Sequence, residues 1–165
     1  MRRIFLCLVF LPLFASAQDV VRAKCKHLKT RKESDNVFIT AMRGMDYESH
    51  VAGFYLRVEG VDSSYVFWSK FRGETSDESR GMRATLQNEI ELDFPEASHS
   101  VKAVSAGSAM TRPWGHIGKS IVSRQELALF VDHPIQSIRL GDLEYNLYGK
   151  KKKSVIMTSA YCLLR

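Results

Sequence analysis

The sequence predicts a mainly β fold, an antiparallel β-sandwich or barrel-like domain with one or two short helices. Three segments rich in β-branched and aromatic residues follow one another between Gly, Asp and Ser, as consecutive antiparallel strands do. Two later segments alternate apolar and polar residues around short turns, which is typical of hairpins. The strand segments are 36–43, 50–59 and 64–71, and the hairpin segments are 81–94 and 135–148.

Polar segments separate the first three predicted strands. Asp62 and Ser63 lie between the second strand and the third, and both are residue types that favour turns. The acidic stretch 73–79 (GETSDES) follows the third strand and has the composition of an exposed loop. We therefore expect three antiparallel strands followed by a long loop.

The first hairpin segment, 81–94 (GMRATLQNEIELDF), changes its alternation at Gln87-Asn88. Apolar residues occupy every second position before this turn and again after it, so each half has one apolar face. A weaker strand is predicted for 98–105. The second hairpin pairs 135–140 with 143–148 around Gly141-Asp142.

Two segments predict helices. Ser123 is the expected N-cap of the first, because Glu126 three residues later completes a capping box and Pro134 provides a stop. Its apolar stripe consists of Leu127, Phe130 and Val131. The segment 152–164 fits helical and strand periodicity alike, and we favour a terminal helix.

Residues 1–17 have the three parts of a secretory signal peptide. Arg2 and Arg3 form the positive n-region, 4–14 is the apolar h-region, and Ala15-Ser16-Ala17 fits the small-residue cleavage rule. About 11 apolar residues are too few for a spanning helix, which needs about 20. We expect export to the periplasm or the exterior, with no membrane span after cleavage.

Cleavage leaves residues 18–165, a common length for one domain, and two cysteines, Cys25 and Cys162. In an oxidising compartment such a pair favours a disulfide. A redox pair is the alternative, but the pair lacks the CxxC spacing that tunes a thiolate. The sequence therefore predicts a single β-rich domain whose two ends are joined.

The charge of the chain bears on its partners. Loss of Arg2 and Arg3 lowers the formal net charge from +6 to +4. A mildly basic protein suits contact with anionic glycans or lipid head groups, and equally suits solubility. Because no motif interleaves basic and aromatic residues, we do not expect nucleic acid as a partner.

Each motif that could carry catalysis or bind a cofactor lacks a required feature. Segment 115–120 (GHIGKS) resembles the end of a phosphate-binding loop but has two residues, not four, between its glycines. No serine stands in a GxSxG or SxxK motif. The histidines lack metal-site spacing; they are His27, His50, His99, His116 and His133. We therefore assign no catalytic residue, metal or cofactor.

Glu89, Glu91 and Asp93 fall on one face of a predicted strand. Converging oxygens of this kind serve as paired catalytic carboxylates or as Ca²⁺ ligands. Alternation along an antiparallel strand also places such residues on a solvated outer face, and we favour that interpretation.

The candidate ligand-binding residues are Trp68 and four consecutive lysines, which are Lys150, Lys151, Lys152 and Lys153. The lysines could hold phosphate or sulfate of an envelope polymer, or they could form a solvated turn at the start of the last helix. Trp68 follows Phe67 in a strand, so the two rings point to opposite faces. An exposed Trp68 would offer a stacking platform for a sugar, whereas layers on both faces would bury it.

Cys25, segment 81–92 (GMRATLQNEIEL) and segment 123–142 (SRQELALFVDHPIQSIRLGD) follow one another behind a leader that ends in ASAQ. In this pattern the chain resembles small exported proteins of uncharacterised function that are common in Bacteroidetes. It covers roughly half of the mature chain. It implies export and a β-rich fold, and it implies no activity.

Three hypotheses for function follow. The first is a non-enzymatic binding or envelope-associated domain whose Trp68 or lysines contact a glycan, a lipid head group or an envelope protein. The second is a small hydrolase that uses Glu89, Glu91 or Asp93 with a histidine such as His116. The third is an assembly module that pairs through an exposed sheet edge.

Overall fold

Two antiparallel sheets and two helices make up the computed structural model, which describes residues 25–42, 50–72, 81–101 and 115–165. The strands are β1 (Leu28–Ser34), β2 (Val37–Met42), β3 (Ala52–Glu59), β4 (Asp62–Phe71), β5 (Met82–Leu86), β6 (Glu91–Phe94), β7 (Ser98–Val101), β8 (His116–Val122), β9 (Ile135–Leu140) and β10 (Leu143–Asn146). The helices are α1 (Arg124–Asp132) and α2 (Lys150–Leu163). The prediction of a mainly β, sandwich-like fold with short helices is confirmed.

The larger sheet has six strands in the order β1-β2-β3-β4-β8-β7, and the smaller has four in the order β10-β9-β5-β6. Both sheets and both helices contribute to one hydrophobic core. At its centre the ring of Phe54 lies 4.9 Å from those of Phe67 and Phe130, centroid to centroid. Aromatic pairs at this separation attract each other beyond the effect of their burial.

The two sheets are in direct contact near Gly118 on β8. A Cβ atom built there would lie 3.0 Å from the Sδ of Met82 on β5 and 3.3 Å from a methyl carbon of Leu140 on β9. Such distances are shorter than most contacts of real Cβ atoms, so a side chain at this position would force its neighbours to shift. Glycine at this position therefore allows side chains of the smaller sheet to pack directly on the backbone of the larger one.

The capping box predicted for α1 is confirmed. The Ser123 hydroxyl accepts a hydrogen bond from the Glu126 amide at 3.1 Å, and the Ser123 amide donates to the Glu126 carboxylate at 2.6 Å. The helix ends before Pro134 as expected. The terminal segment is a helix, as favoured, but it begins two residues earlier than predicted, at Lys150.

The larger sheet differs from the prediction in two places. Asp62 and Ser63 belong to β4 and not to a loop, because the reversal is made by Gly60-Val61, where Gly60 has φ +61°. Strand β1 was not predicted, since six of its seven residues are exposed and it has no alternating apolar pattern. The strand predicted at 98–105 is present as β7, which ends at Val101. Residues 102–105 and the predicted loop at 73–79 lie outside the described residues.

Both hairpins are confirmed. β5 and β6 are joined by a 3₁₀ turn, Gln87–Glu89, in which Asn88 and Glu89 have φ of 67° and 60°. β9 and β10 meet at Gly141-Asp142, as predicted, although β10 ends at Asn146.

A disulfide joins Cys25, before β1, to Cys162 in α2, as predicted. The predicted signal peptide, residues 1–17, lies outside the described residues. Of the helices in the described part of the chain, none is long and apolar enough to cross a membrane.

Candidate functional site

The lysine turn, which we define as Lys150–Lys153, is the first turn of α2. Gly149 precedes it with φ +94° and gives no side-chain cap, and no acidic residue lies in the turn. The first amide groups of a helix lack intrahelical partners, and the helix dipole places partial positive charge there. The four ammonium groups therefore add to a positive field that the helix already provides.

No carboxylate among the described residues lies within 4 Å of any of the four ammonium groups. The polar contact of the turn is with a phenol: the Nζ of Lys152 donates to the hydroxyl of Tyr145 at 3.2 Å and lies 5.8 Å from the ring centroid. Lys150, Lys151 and Lys152 are exposed, and Lys153 is half-buried. The turn is thus a concentration of positive charge without an anionic partner in this part of the structure.

A cavity of about 170 Å³ lies directly beside the lysine turn. It is lined by Val51 and Ala52 at the start of β3, by Val155 and Ile156 of α2, and by His50, Lys151 and Lys152. Ala52 and Ile156 are buried in the core, whereas the two lysines are exposed. We call this the α2 cavity; it extends from the apolar core to the cationic turn.

His50 adds an unsatisfied polar atom to the α2 cavity. Its Nδ1 is buried and makes no hydrogen bond with any residue that the structure describes. A buried polar atom without a partner costs about 1–3 kcal/mol, so such atoms commonly mark a place where water or a ligand binds. That His50 and the lysines meet could not be predicted, because about 100 residues separate them in the chain.

Trp68 does not offer a stacking platform in this structure, because its ring is buried, which is the second of the two arrangements that the sequence allows. Its side chain is 1 % exposed. As predicted, Phe67 and Trp68 point to opposite faces of β4: Phe67 lies in the main core, and Trp68 lies in a second apolar cluster with Ile39, Tyr55 and Val66. Because α2 packs in the main core, Trp68 and the lysine turn are not brought together.

Two of the three carboxylates proposed for catalysis, Glu91 and Asp93, lie on β6 and face an arginine. Glu89 does not share that strand face, because it lies in the 3₁₀ turn that precedes β6. The guanidinium of Arg83 donates two hydrogen bonds to Asp93 and one, at 2.9 Å, to Glu91, and the pKa of Arg83 is raised by this pairing. Glu91, Asp93 and Arg83 all lie on the exposed side of the smaller sheet. The prediction of a solvated face for these acids agrees with this arrangement.

Two of the five histidines meet. Nε2 of His99 on β7 lies 2.8 Å from Nδ1 of His116 on β8. The pKa of His99 is lowered, mainly because burial disfavours the charged ring and to a smaller extent because of the neighbouring His116. Among the residues that the structure describes, no three His, Cys, Asp or Glu side chains form a group that could hold a metal ion.

The segment that resembles a phosphate-binding loop is a strand. Gly115 leads into β8, whose side chains alternate between the core and the outer face. A phosphate-binding loop must run into a helix, whose first amides contact the phosphates. The observed strand does not provide that geometry.

Comparisons with protein-family models, curated proteins and solved structures found no match. The resemblance to exported proteins of Bacteroidetes therefore stays a prediction. The function has to be argued from the α2 cavity and the groups that surround it.

Proposed function

We propose that this protein binds an anionic amphiphile of the cell envelope, with the anionic group at the lysine turn and an apolar group in the α2 cavity. The observation that carries the proposal is the cavity itself, because it joins buried Ala52 and Ile156 to exposed Lys151 and Lys152. Ligand sites commonly combine an apolar wall with a few polar groups that fix orientation.

The charge of the turn supports an anionic head group. Four adjacent ammonium groups repel one another, and each is also unfavourable at the positive end of a helix dipole. A bound phosphate or carboxylate would relieve both effects and could accept hydrogen bonds from the first amides of α2. The Nδ1 of His50 would provide one further polar contact in the same cavity.

The volume of the cavity limits the apolar part of the ligand. A protein cavity of about 150 Å³ holds one benzene molecule. The α2 cavity, at about 170 Å³, therefore suits a short alkyl segment or a single ring. Each CH₂ group buried there would add about 0.8 kcal/mol to binding. This favours a lipid-like ligand over the anionic glycan that the charge alone would also allow.

We prefer binding to catalysis for a geometric reason. Glu91 and Asp93 accept hydrogen bonds from Arg83 on the smaller sheet, whereas His116 is hydrogen-bonded to His99 on the larger one. The acids and the histidine of the hydrolase hypothesis therefore have separate partners. The proposed setting is an exported protein, and the disulfide supports it, because such bonds persist in oxidising compartments.

Calorimetric titration with hexyl phosphate tests the proposal. We expect this probe to bind, inorganic phosphate and 1-hexanol to bind at least tenfold more weakly, and the affinity to fall as salt is raised. Lys151→Gln should weaken binding about tenfold, because it removes a charge that lines the cavity. Val155→Phe should weaken binding by filling the cavity while leaving every charge in place.

Lys150→Gln is the matched control, since Lys150 belongs to the same turn but does not line the cavity. It should weaken binding by no more than about threefold. Equal losses in Lys150→Gln and Lys151→Gln, with no effect of Val155→Phe, would show that the probe senses general positive charge only. That result would overturn the assignment of the cavity as the site.

A further inference from the structure

The exposed face of the smaller sheet carries a row of four charged residues, one from each strand. Arg83 of β5 lies opposite Asp93 of β6 on one side and opposite Arg139 of β9 on the other. Arg139 in turn lies opposite Glu144 of β10. Two arginines thus occupy the two central strands, although like charges directly opposite each other destabilise a sheet.

The two arginines differ in their partners. Arg83 is engaged by Asp93, through two hydrogen bonds, and by Glu91. Arg139 is exposed, and within the described part of the chain no carboxylate lies within 4 Å of its guanidinium, although Glu144 is its neighbour in register. The planar guanidinium of Arg139 therefore retains its donors for another acceptor.

A cleft of about 440 Å³ lies at this arginine. It is lined by Arg83, Asp93, Pro95, Arg139 and two glycines, Gly81 and Gly141. A Cβ atom on Gly81 would meet nothing within 4 Å, so space beside the backbone is open there. The volume is more than twice that of the α2 cavity, and the two sites share no residue.

We propose that this cleft binds the carboxylate of a hydroxylated ligand, a sugar acid, through Arg139. A guanidinium matches a carboxylate with two parallel hydrogen bonds. Asp93, which lines the cleft, and Glu144, which lies opposite Arg139, would repel a doubly charged phosphate. The oxygens of Asp93 can also accept hydrogen bonds from hydroxyl groups of a ligand in the cleft. A single negative charge with hydroxyl groups beside it therefore fits the row better than a phosphate does.

Titration of ¹⁵N-labelled protein followed by NMR tests this site. D-glucuronate should shift the amide signals of Gly81 and Gly141 and reach saturation at millimolar concentration. D-glucose and glucose 6-phosphate should give affinities at least tenfold lower. Arg139→Gln should abolish the D-glucuronate shifts, while Arg139→Lys should retain weak binding, because an ammonium group keeps the charge but not the planar fork.

Arg31→Gln is the matched control, because it removes the same charge from an exposed strand of the other sheet. It should leave D-glucuronate binding unchanged. The assignment fails if Arg139→Gln leaves the shifts intact, if Arg31→Gln removes them too, or if glucose 6-phosphate binds as tightly as D-glucuronate. None of these outcomes bears on the hexyl phosphate site, so the two proposals stand or fall separately.

Discussion

At the scale of single residues, the His99–His116 contact links the stability of the fold to pH. The two ring nitrogens are 2.8 Å apart, so one ring must donate a proton and the other must accept it. When both rings are protonated, two donors face each other and the hydrogen bond is lost. The folded state therefore disfavours the protonated form of His99, whose pKa is lowered by burial and by the neighbouring His116.

We predict that the folded state loses stability as the pH falls. The pKa of His99 is lowered in the folded protein, so below about pH 6.5 the unfolded chain takes up the proton more readily. That contribution is complete above pH 6.5 and is lost as the pH falls toward the lowered pKa. Urea unfolding at pH 7.5 and pH 5.0 measures the difference.

His99→Gln should reduce this pH dependence, whereas His27→Gln, at an exposed histidine, should not change it. An unchanged slope in His99→Gln would mean that other groups account for the acid sensitivity. The contact itself could not be predicted from sequence, because the two histidines are 17 residues apart and belong to different strands. Neither strand shows metal-ligand spacing or another local pattern that would mark the pair.

At the scale of secondary-structure elements, the first turn of α2 has residue types that helices usually avoid at their N-termini. First turns favour acidic residues, whereas this one has four lysines and a glycine N-cap without a side-chain cap. By contrast, α1 begins with a complete capping box. A locally unfavourable sequence of this kind is typical of a site retained for binding.

We predict that Lys151→Glu stabilises the protein and removes binding of hexyl phosphate. A carboxylate near a helix N-terminus is worth about 0.3–1 kcal/mol, and the change also relieves repulsion among the lysines. The free energy of unfolding in urea and the calorimetric titration measure the two effects. Lys151→Gln should be intermediate in stability. A loss of stability in both variants would instead indicate that Lys151 contributes to packing.

Most elements could be predicted because their signals are local. The capping box at Ser123, the Pro134 stop and the alternation around Gln87-Asn88 each lie within a few residues. Strand β1 was missed because an exposed edge strand has no buried face to impose alternation, and its charges discourage pairing with other chains. The α2 cavity was missed because it joins segments far apart in the chain.

At the scale of the whole molecule, the disulfide closes a covalent loop across a sequence separation of 137 residues. In the chain-entropy model, a loop of this length stabilises the folded state by up to about 5 kcal/mol. That is comparable to the entire stability of many small domains, about 5–15 kcal/mol.

We predict that the double variant Cys25→Ser/Cys162→Ser loses about 2–5 kcal/mol of unfolding free energy. Urea unfolding of the oxidised wild type, the reduced wild type and the double variant measures this. The reduced protein and the variant should agree closely, because both lack the same constraint. If oxidised and reduced wild type unfold at the same urea concentration, the loop does not constrain the unfolded chain as expected.

The position of the two cysteines in the chain also determines when the disulfide can form. Every described strand, from β1 through β10, lies between Cys25 and Cys162. Because the chain is made from its N-terminus, the sulfur of Cys162 leaves the ribosome only after all of these strand segments have emerged. The disulfide therefore cannot form on a partial chain: every strand segment of both sheets is already available to pair when Cys25 first meets Cys162.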